Sequence, residues 1–496
     1  MIKTVYAHLA AMIEAHAGKV AIRFEAETLT YSEFAGAVEL AARHLRALGI
    51  SKGTTFSAYA QNCTELMIAY YAAARLGAIF VPLNPNLTAS EVEYAFTHSG
   101  TTILFHDDFV GDVARAAVPA GSLRALKDLR APADGLAALD DPVISPEDDF
   151  LIIYTSGSTG VPKAILLDHA AQVGAATALA SMWGLTAGDV TLVALPLGYL
   201  YGLSTAAAVG LQSGGTVAIL RRFHPRDALE GLISHCATVY HGVPTMYSMM
   251  LEYCEQRELT YDLSGVRALI CAGAPLPDEM QERFAKRFGK LIQNYYAATE
   301  TTPVFGTFAN DPIPIPKGAV GRAAPGLQVR IIRPDGTECD NNEDGEVLVR
   351  AAATMKRYLN NPEQTDAAFR DGLFRTGDLG RRDSDGYFYL TGRIKDIIIR
   401  GGANISPSEV EAVLSSHPAV QDIAVVGGPD RIFGEVPIAF VVVRHGASVT
   451  QEDLIAYAEM TLSDFKVPRT IHFETELPLG LTGKFDKKAL KARLRA

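Results

Sequence analysis

From about residue 20 to residue 310, amphipathic helical patterns alternate with short β-branched runs, and this alternation constrains the fold more than any other feature. The segment "LTYSEFAGAVELAARHLRALGI" (29–50) reads as a capped amphipathic helix, and "GAIFVPLNP" (77–85) as a buried strand ending in a turn. "TVAIL" (216–220), "TVYHGVP" (238–244) and "RALICAGAP" (267–275) are further short strands, each followed by a helical pattern such as "LPDEMQERFAKRFG" (276–289). A chain that alternates in this way builds βαβ units around largely parallel sheets.

The rhythm changes after "NDPIPIPKG", where Pro312, Pro314 and Pro316 force an extended loop. From 318 to 393 short strands follow one another through D–G turns, as in "VRIIRPDGTE", "EDGEVLVR" and "DSDGYFYLTGR", which predicts an antiparallel β-subdomain. Mixed patterns return near 397. The predicted architecture is α/β: a large N-terminal domain (1–394) of βαβ-type sheets plus the β-subdomain (318–393), then a small α+β C-terminal domain (395–496). The tail "GKFDKKALKARLRA" carries six basic residues against one acid and reads as a solvated helix face.

Composition narrows the function. With 45 Lys and Arg against 56 Asp and Glu, the net charge of −11 argues against general affinity for nucleic acid or anionic membranes. The longest apolar stretch, "LMIAYYAAARLGAIFVPL", is interrupted by Arg75 and Gly77, so it predicts a core helix and strand rather than a membrane span. Five dispersed cysteines (63, 236, 254, 271, 339) without a C-x-x-C pair read as reduced thiols of a cytoplasmic protein.

Chemistry concentrates in "YTSGSTGVPK" (154–163). It leaves an apolar run and carries the hydroxyls of Thr155, Ser156, Ser158 and Thr159. Gly157 and Gly160 can expose backbone N–H groups to an anion, and Lys163 adds a point charge. This is not a Walker loop, because Val161 and Pro162 separate the last glycine from the lysine and Ala164 follows it.

Four more motifs follow in order: "NYYAATETTP" (294–303), "RTGDLG" (375–380), "GRIKDIIIRGGANISPSEVE" (392–411) and "TGKFDKKAL" (482–490). Together with the loop they resemble the acyl-adenylate-forming superfamily, and within it the AMP-forming acyl-CoA synthetases, over essentially the whole chain. The resemblance implies ATP, Mg²⁺ and coenzyme A as reactants and a small-molecule carboxylic acid as substrate, in a monomer or homodimer. It implies that the loop holds the β- and γ-phosphates that leave as pyrophosphate. Thr299 would bond the α-phosphate, and Glu300 would place Mg²⁺, a hard cation suited to carboxylate and phosphate oxygens. Tyr296 and the backbone of Gly273, Ala274 and Pro275 would flank adenine. Asp378 would accept the ribose hydroxyls, and Arg393 would reach the ribose or α-phosphate or form a structural salt bridge. Lys484 would offset the charge gathered when a carboxylate attacks the α-phosphate. Lys395 would be the hinge of a mobile C-terminal domain, and Gly401 and Gly402 would make room for pantetheine.

The acyl pocket is expected from Tyr199, Tyr201, His241, Ala272, Tyr295, Ala297 and Thr302. Family members that take long or aromatic acids often carry glycine where Ala297 stands, so the resemblance implies a shortened pocket. Two tyrosines, a histidine and Thr302 suggest a polar substituent, such as a hydroxyl, on a short acid. The alternatives are an aryl or benzoate-type CoA ligase, or an acyl-AMP ligase that loads a carrier protein. The inserted segment common near the C-terminal domain of the latter is not seen. A non-catalytic nucleotide-binding regulator is disfavoured by the intact Lys163, Thr299, Glu300, Asp378 and Lys484.

Overall fold

The computed structural model describes residues 3–132, 135–155, 162–311, 314–480 and 485–494. The predicted helix spans Tyr31–Ala47 and opens with a full capping box between Thr30 and Glu33, a reciprocal pairing that satisfies two otherwise orphaned N–H groups. "GAIFVPLNP" supplies the strand Ile79–Leu83, paired in parallel with Thr55–Tyr59.

Among the described residues two large sheets dominate, one of nine strands and one of seven. The nine-stranded sheet has a parallel centre. There Val190–Val193, Val239–Gly242, Ala268–Cys271 and Gln293–Tyr296 lie side by side, and His241 is opposite both Val193 and Ile270. Period-two alternation along Val239–Gly242 sends Tyr240 to one face, packed with Leu192, Leu269 and Cys271, and His241 to the other, against Trp183. The carboxyl ends of these strands converge on a cavity of about 1460 Å³, the usual position of a ligand site in a parallel sheet.

The stretch rich in D–G turns forms an antiparallel sheet of Gln328–Ile332, Gly345–Arg350, Phe369–Arg370, Leu373–Arg382 and Phe388–Arg393. It is not all strand: Asn361 caps a short helix, Pro362–Ala367. Two of its segments also pair elsewhere. Arg322–Ala323 extends the nine-stranded sheet, and Arg357–Tyr358 edges the seven-stranded one.

Beyond it, Ile398–Arg400, Ala403–Ile405, Val420–Asp430, Gly434–Val443 and Thr470–Glu474 form a separate sheet over its own apolar core. Arg444, at the end of that sheet, pairs with Glu279 of the helix Asp278–Phe288 at 2.6 Å. The basic tail differs from expectation. Lys487 and Lys491 of the helix Lys487–Arg493 pair with Glu411 at 2.5 Å and Glu435 at 2.8 Å, so this face is tied to the helix Pro407–Ser415 and to the sheet. Among the described residues no helix is long and apolar enough to cross a membrane.

Candidate active site

The hydroxyl-rich loop joins two antiparallel strands, Asp149–Thr155 and Lys163–Asp168, with Thr155 directly opposite Lys163. A Walker loop runs into a helix; this one returns along its own sheet. Ser156, Gly157, Ser158, Thr159 and Gly160 lie outside the described residues, as does Lys484.

Lys163 nonetheless has a defined setting. Its ammonium sits 4.8 Å from the centroid of the Tyr358 ring, a cation–π distance. The register explains this meeting: Tyr358 lies opposite Ile165, which shares a strand face with Lys163. The Tyr358 hydroxyl donates to Glu300 Oε1 at 2.9 Å. Burial, together with the adjacent Glu300 carboxylate, pushes the Tyr358 hydroxyl above its ordinary pKa, so it remains a donor. Tyr358 thus links the loop lysine to the Thr299–Glu300 turn. Sequence reasoning missed it, because it lies 58 residues from Glu300 in a stretch without a motif.

A second constellation gathers around Asp378, which is buried at 4% exposure. Arg393 lies opposite it on the neighbouring strand and donates from Nε to Oδ1 at 2.7 Å. The Tyr296 hydroxyl donates to Oδ2. Burial and the neighbouring carboxylate push the Tyr296 hydroxyl well above its ordinary pKa. One face of the Tyr296 ring stacks on Phe305, which in turn stacks on Phe388 with centroids 4.0 Å apart. This pile joins the parallel sheet to the antiparallel one and holds Tyr296 at the border of the cavity. Gly273, Ala274 and Pro275 border the same cavity as Tyr296, Asp378 and Arg393. Gly273 turns the chain there with φ +93°, which favours glycine.

The profile of the AMP-binding enzyme family matches residues 9–359, and that of the AMP-binding enzyme C-terminal domain matches 409–484. The chain belongs to the AMP-binding enzymes. It is 34% identical to the feruloyl-CoA synthase of an Amycolatopsis species over 95% of each chain. It is 33% identical to the indoleacetate–CoA ligase of Aromatoleum aromaticum over 98% of each. Its fold superposes on ATP-bound MatB of Rhodopseudomonas palustris with a TM-score of 0.90, at 30% identity and 99% coverage of both chains. It is an AMP-forming acyl-CoA synthetase of the adenylate-forming superfamily, and ATP and CoA are its co-substrates.

The residues expected to line the acyl pocket of this synthetase fall into two groups. Tyr199, Tyr295 and Ala297 border the cavity. Tyr201, His241, Ala272 and Thr302 lie behind its wall. Thr302 returns its hydroxyl to the Ala298 carbonyl at 2.9 Å, and Tyr201 donates to the carbonyls of Gly242 and Ile270 at 3.3 Å. His241 is fully buried, and desolvation lowers its pKa to about 3, so the ring is neutral near pH 7. It packs edge-on against Trp183 and Tyr201. Trp183 is the one tryptophan of the sequence, and it carried no motif by which to be singled out.

Lys395 borders the cavity from a single 3₁₀ turn, Ile394–Asp396. Gly401 and Gly402 form the tight turn between Ile398–Arg400 and Ala403–Ile405, with φ of +57° and +90°. That turn alone accounts for glycine at both positions.

Proposed function

We propose that this synthetase activates a short, polar-substituted carboxylic acid, with the residue roles implied by the motifs. The observation that carries the adenylation chemistry is a pair of constellations, Lys163–Tyr358–Glu300 at the edge of the seven-stranded sheet and Tyr296–Asp378–Arg393 where the nine-stranded sheet meets the antiparallel one. The first suits phosphate: an ammonium held by a ring, and a carboxylate with one oxygen tied to a phenol. The second suits a nucleoside: a flat ring next to a buried carboxylate that can accept from a diol.

In this reading the acid's carboxylate oxygen attacks the α-phosphorus. The bond to the β-phosphate oxygen breaks, and pyrophosphate leaves past the loop containing Lys163. Thr299 bonds the α-phosphate, and Lys484 offsets its developing charge. Asp378 and Arg393 fix the ribose so that attack is in line. In the second half-reaction the CoA sulfur attacks the acyl carbon, its proton is lost and AMP departs. The chain beyond Lys395 pivots between the two steps and brings Gly401 and Gly402 to the pantetheine arm.

Mg²⁺ fits the residues present. Among the described residues no three acidic, histidine or cysteine side chains cluster to hold a metal. One carboxylate plus substrate phosphates is the way Mg²⁺ is commonly bound, and Glu300 offers that carboxylate. When bound, the ion neutralises phosphate charge.

A second reading, an aryl acid, is favoured by the aromatic cluster of Trp183, Tyr201, Tyr295 and His241 that backs the cavity at Tyr295, with ring centroids 4.9 to 6.3 Å apart in successive contacts. Two similar proteins are named for aryl acids, ferulate and indoleacetate. A cytoplasmic setting is supported by the free thiols, Cys236 among them exposed. The test is pyrophosphate and AMP release across short alkyl, hydroxylated, dicarboxylic and aryl acids. Failure to form AMP with any of them would sink the proposal, and preference for plain fatty acids would sink the polar-acid part alone.

A further inference from the structure

Behind the acyl wall lies a group of polar atoms that the protein itself leaves without partners. Trp183 Nε1, His241 Nδ1 and the Tyr295 hydroxyl are all buried, and among the described residues none donates to or accepts from them. They belong to one cluster: the Trp183 ring lies 4.9 Å from that of His241 and 5.2 Å from that of Tyr295. Buried polar atoms are nearly always paired, and one left unpaired carries its full desolvation cost. Tyr295 borders the cavity and Trp183 and His241 pack behind it, so the three form a polar group at the cavity wall that lacks a protein partner.

The cluster is built rather than accidental. Asp168 caps the helix His169–Trp183 by accepting from Ala171 N–H at 2.7 Å, and Gly184 ends it in the left-handed conformation. Arg267 then clamps that end, donating to the carbonyls of Trp183 at 2.9 Å and Gly184 at 3.1 Å while pairing with Asp189. The helix terminus is therefore fixed beside the amino ends of Val190–Val193 and Ala268–Cys271, and its indole reaches along the sheet to pack against His241 and Tyr295. Tyr295 connects the cluster to the substrate, because it belongs to both the cluster and the cavity wall.

We propose that the acid carries a neutral oxygen at the end remote from its carboxylate, and that Trp183 is the specificity-determining donor to it. This rests on the ligase reading above. The chemistry of the three atoms selects the oxygen. An indole N–H can only donate, so the ligand atom must accept. A phenol and a neutral imidazole can take the proton of a hydroxyl or tolerate an ether. A second carboxylate is excluded because the cluster offers no cation to pair with it, and an unpaired buried charge is far costlier than a neutral group. The substrate class is thus a hydroxy or alkoxy acid, aliphatic or aryl, and not a dicarboxylic acid.

Two measurements test this. The first is kcat/KM for matched acids: 4-hydroxybutyrate with butyrate, 4-hydroxybenzoate and 4-methoxybenzoate with benzoate, and succinate as the charged control. At least one oxygenated acid is expected to exceed its plain counterpart by roughly tenfold or more, with succinate the poorest. In Trp183→Phe that ratio should fall to within about threefold. If circular dichroism shows this variant to be misfolded, Tyr295→Phe removes a single oxygen and should lower the same ratio. The second uses Trp183 as the chain's only indole fluorophore: the preferred oxygenated acid should shift its emission, and the plain partner should shift it less. Equal use of oxygenated and plain acids, or a preference that survives both substitutions, would overturn the inference and leave the ligase reading intact. No pyrophosphate release with any acid would overturn both.

Discussion

Replacing Asp378 by asparagine isolates the nucleotide half of the site. The buried carboxylate accepts from Arg393 Nε at 2.7 Å and from the Tyr296 hydroxyl, and its remaining lone pairs face the cavity. Asparagine keeps the shape but turns one acceptor into a donor, aimed at Arg393, at Tyr296 or at the ribose. Arg393 is half exposed, so loss of that ion pair is screened and costs only about 1 kcal/mol. Hydrogen bonds to a charged group contribute about 1.5–3 kcal/mol each, so losing one ribose bond and weakening the other costs roughly 3 kcal/mol, or about 10²-fold. The assay is ATP–pyrophosphate exchange with ATP, 2′-deoxy-ATP and 3′-deoxy-ATP. The loss is expected mainly in KM for ATP, and the variant should no longer distinguish ATP from the deoxy analogues. A variant that still discriminates as the wild type does would refute the ribose role, whatever its overall activity.

Three further outcomes are expected. Lys484→Ala should nearly abolish adenylation yet spare thioester formation from pre-made acyl-AMP; equal loss in both, measured by separate half-reaction assays, would refute its role. Lys395→Pro fixes φ at the proposed pivot and should slow thioesterification more than adenylation, a split visible in single-turnover rates of each step. Asp189 would be raised by burial, but Arg267, Thr238 and the Thr186 N–H hold its pKa at about 2. With a folded pKa below the ordinary ~3.9, its contribution is present above pH ~4 and lost as pH falls towards 2. Asp189→Asn should accordingly be about 2 kcal/mol less stable than wild type at pH 6 by urea unfolding, with the gap closing towards pH 2; a gap independent of pH would contradict the assignment.

Much of this was legible in sequence because the determinants are local. Capping boxes, D–G turns and β-branched runs act over a few residues, so the helix Tyr31–Ala47, the parallel strands and the antiparallel sheet could be read directly. Glu300, Asp378 and Arg393 were readable because they sit in motifs. Tyr358 and Trp183 were not. Each meets partners at least 58 residues away, and only the pairing of Arg357–Tyr358 with another sheet, or the end of a helix packed on the nine-stranded sheet, brings them together. Lys487 looked solvated for the same reason: Glu411, its partner, lies on a helix distant in sequence. The hydroxyl of Thr302 was expected to face substrate, but a turn gave it a backbone acceptor four residues back.

Arg393 occupies the last position of its strand, two residues before Lys395, and the Asp378 carboxylate it grips is the one assigned to the nucleotide. On the proposed hinge and ribose roles, a reorientation that begins at Lys395 would act on a bond next to the bound nucleotide. Affinity for the nucleotide and the position of the C-terminal sheet would then be two sides of one equilibrium, and linkage requires such a coupling to be reciprocal. If ATP favours one position of that sheet, that position must hold ATP more tightly by the same factor. The exchange of ATP for AMP during the reaction can then bias the movement without a separate trigger.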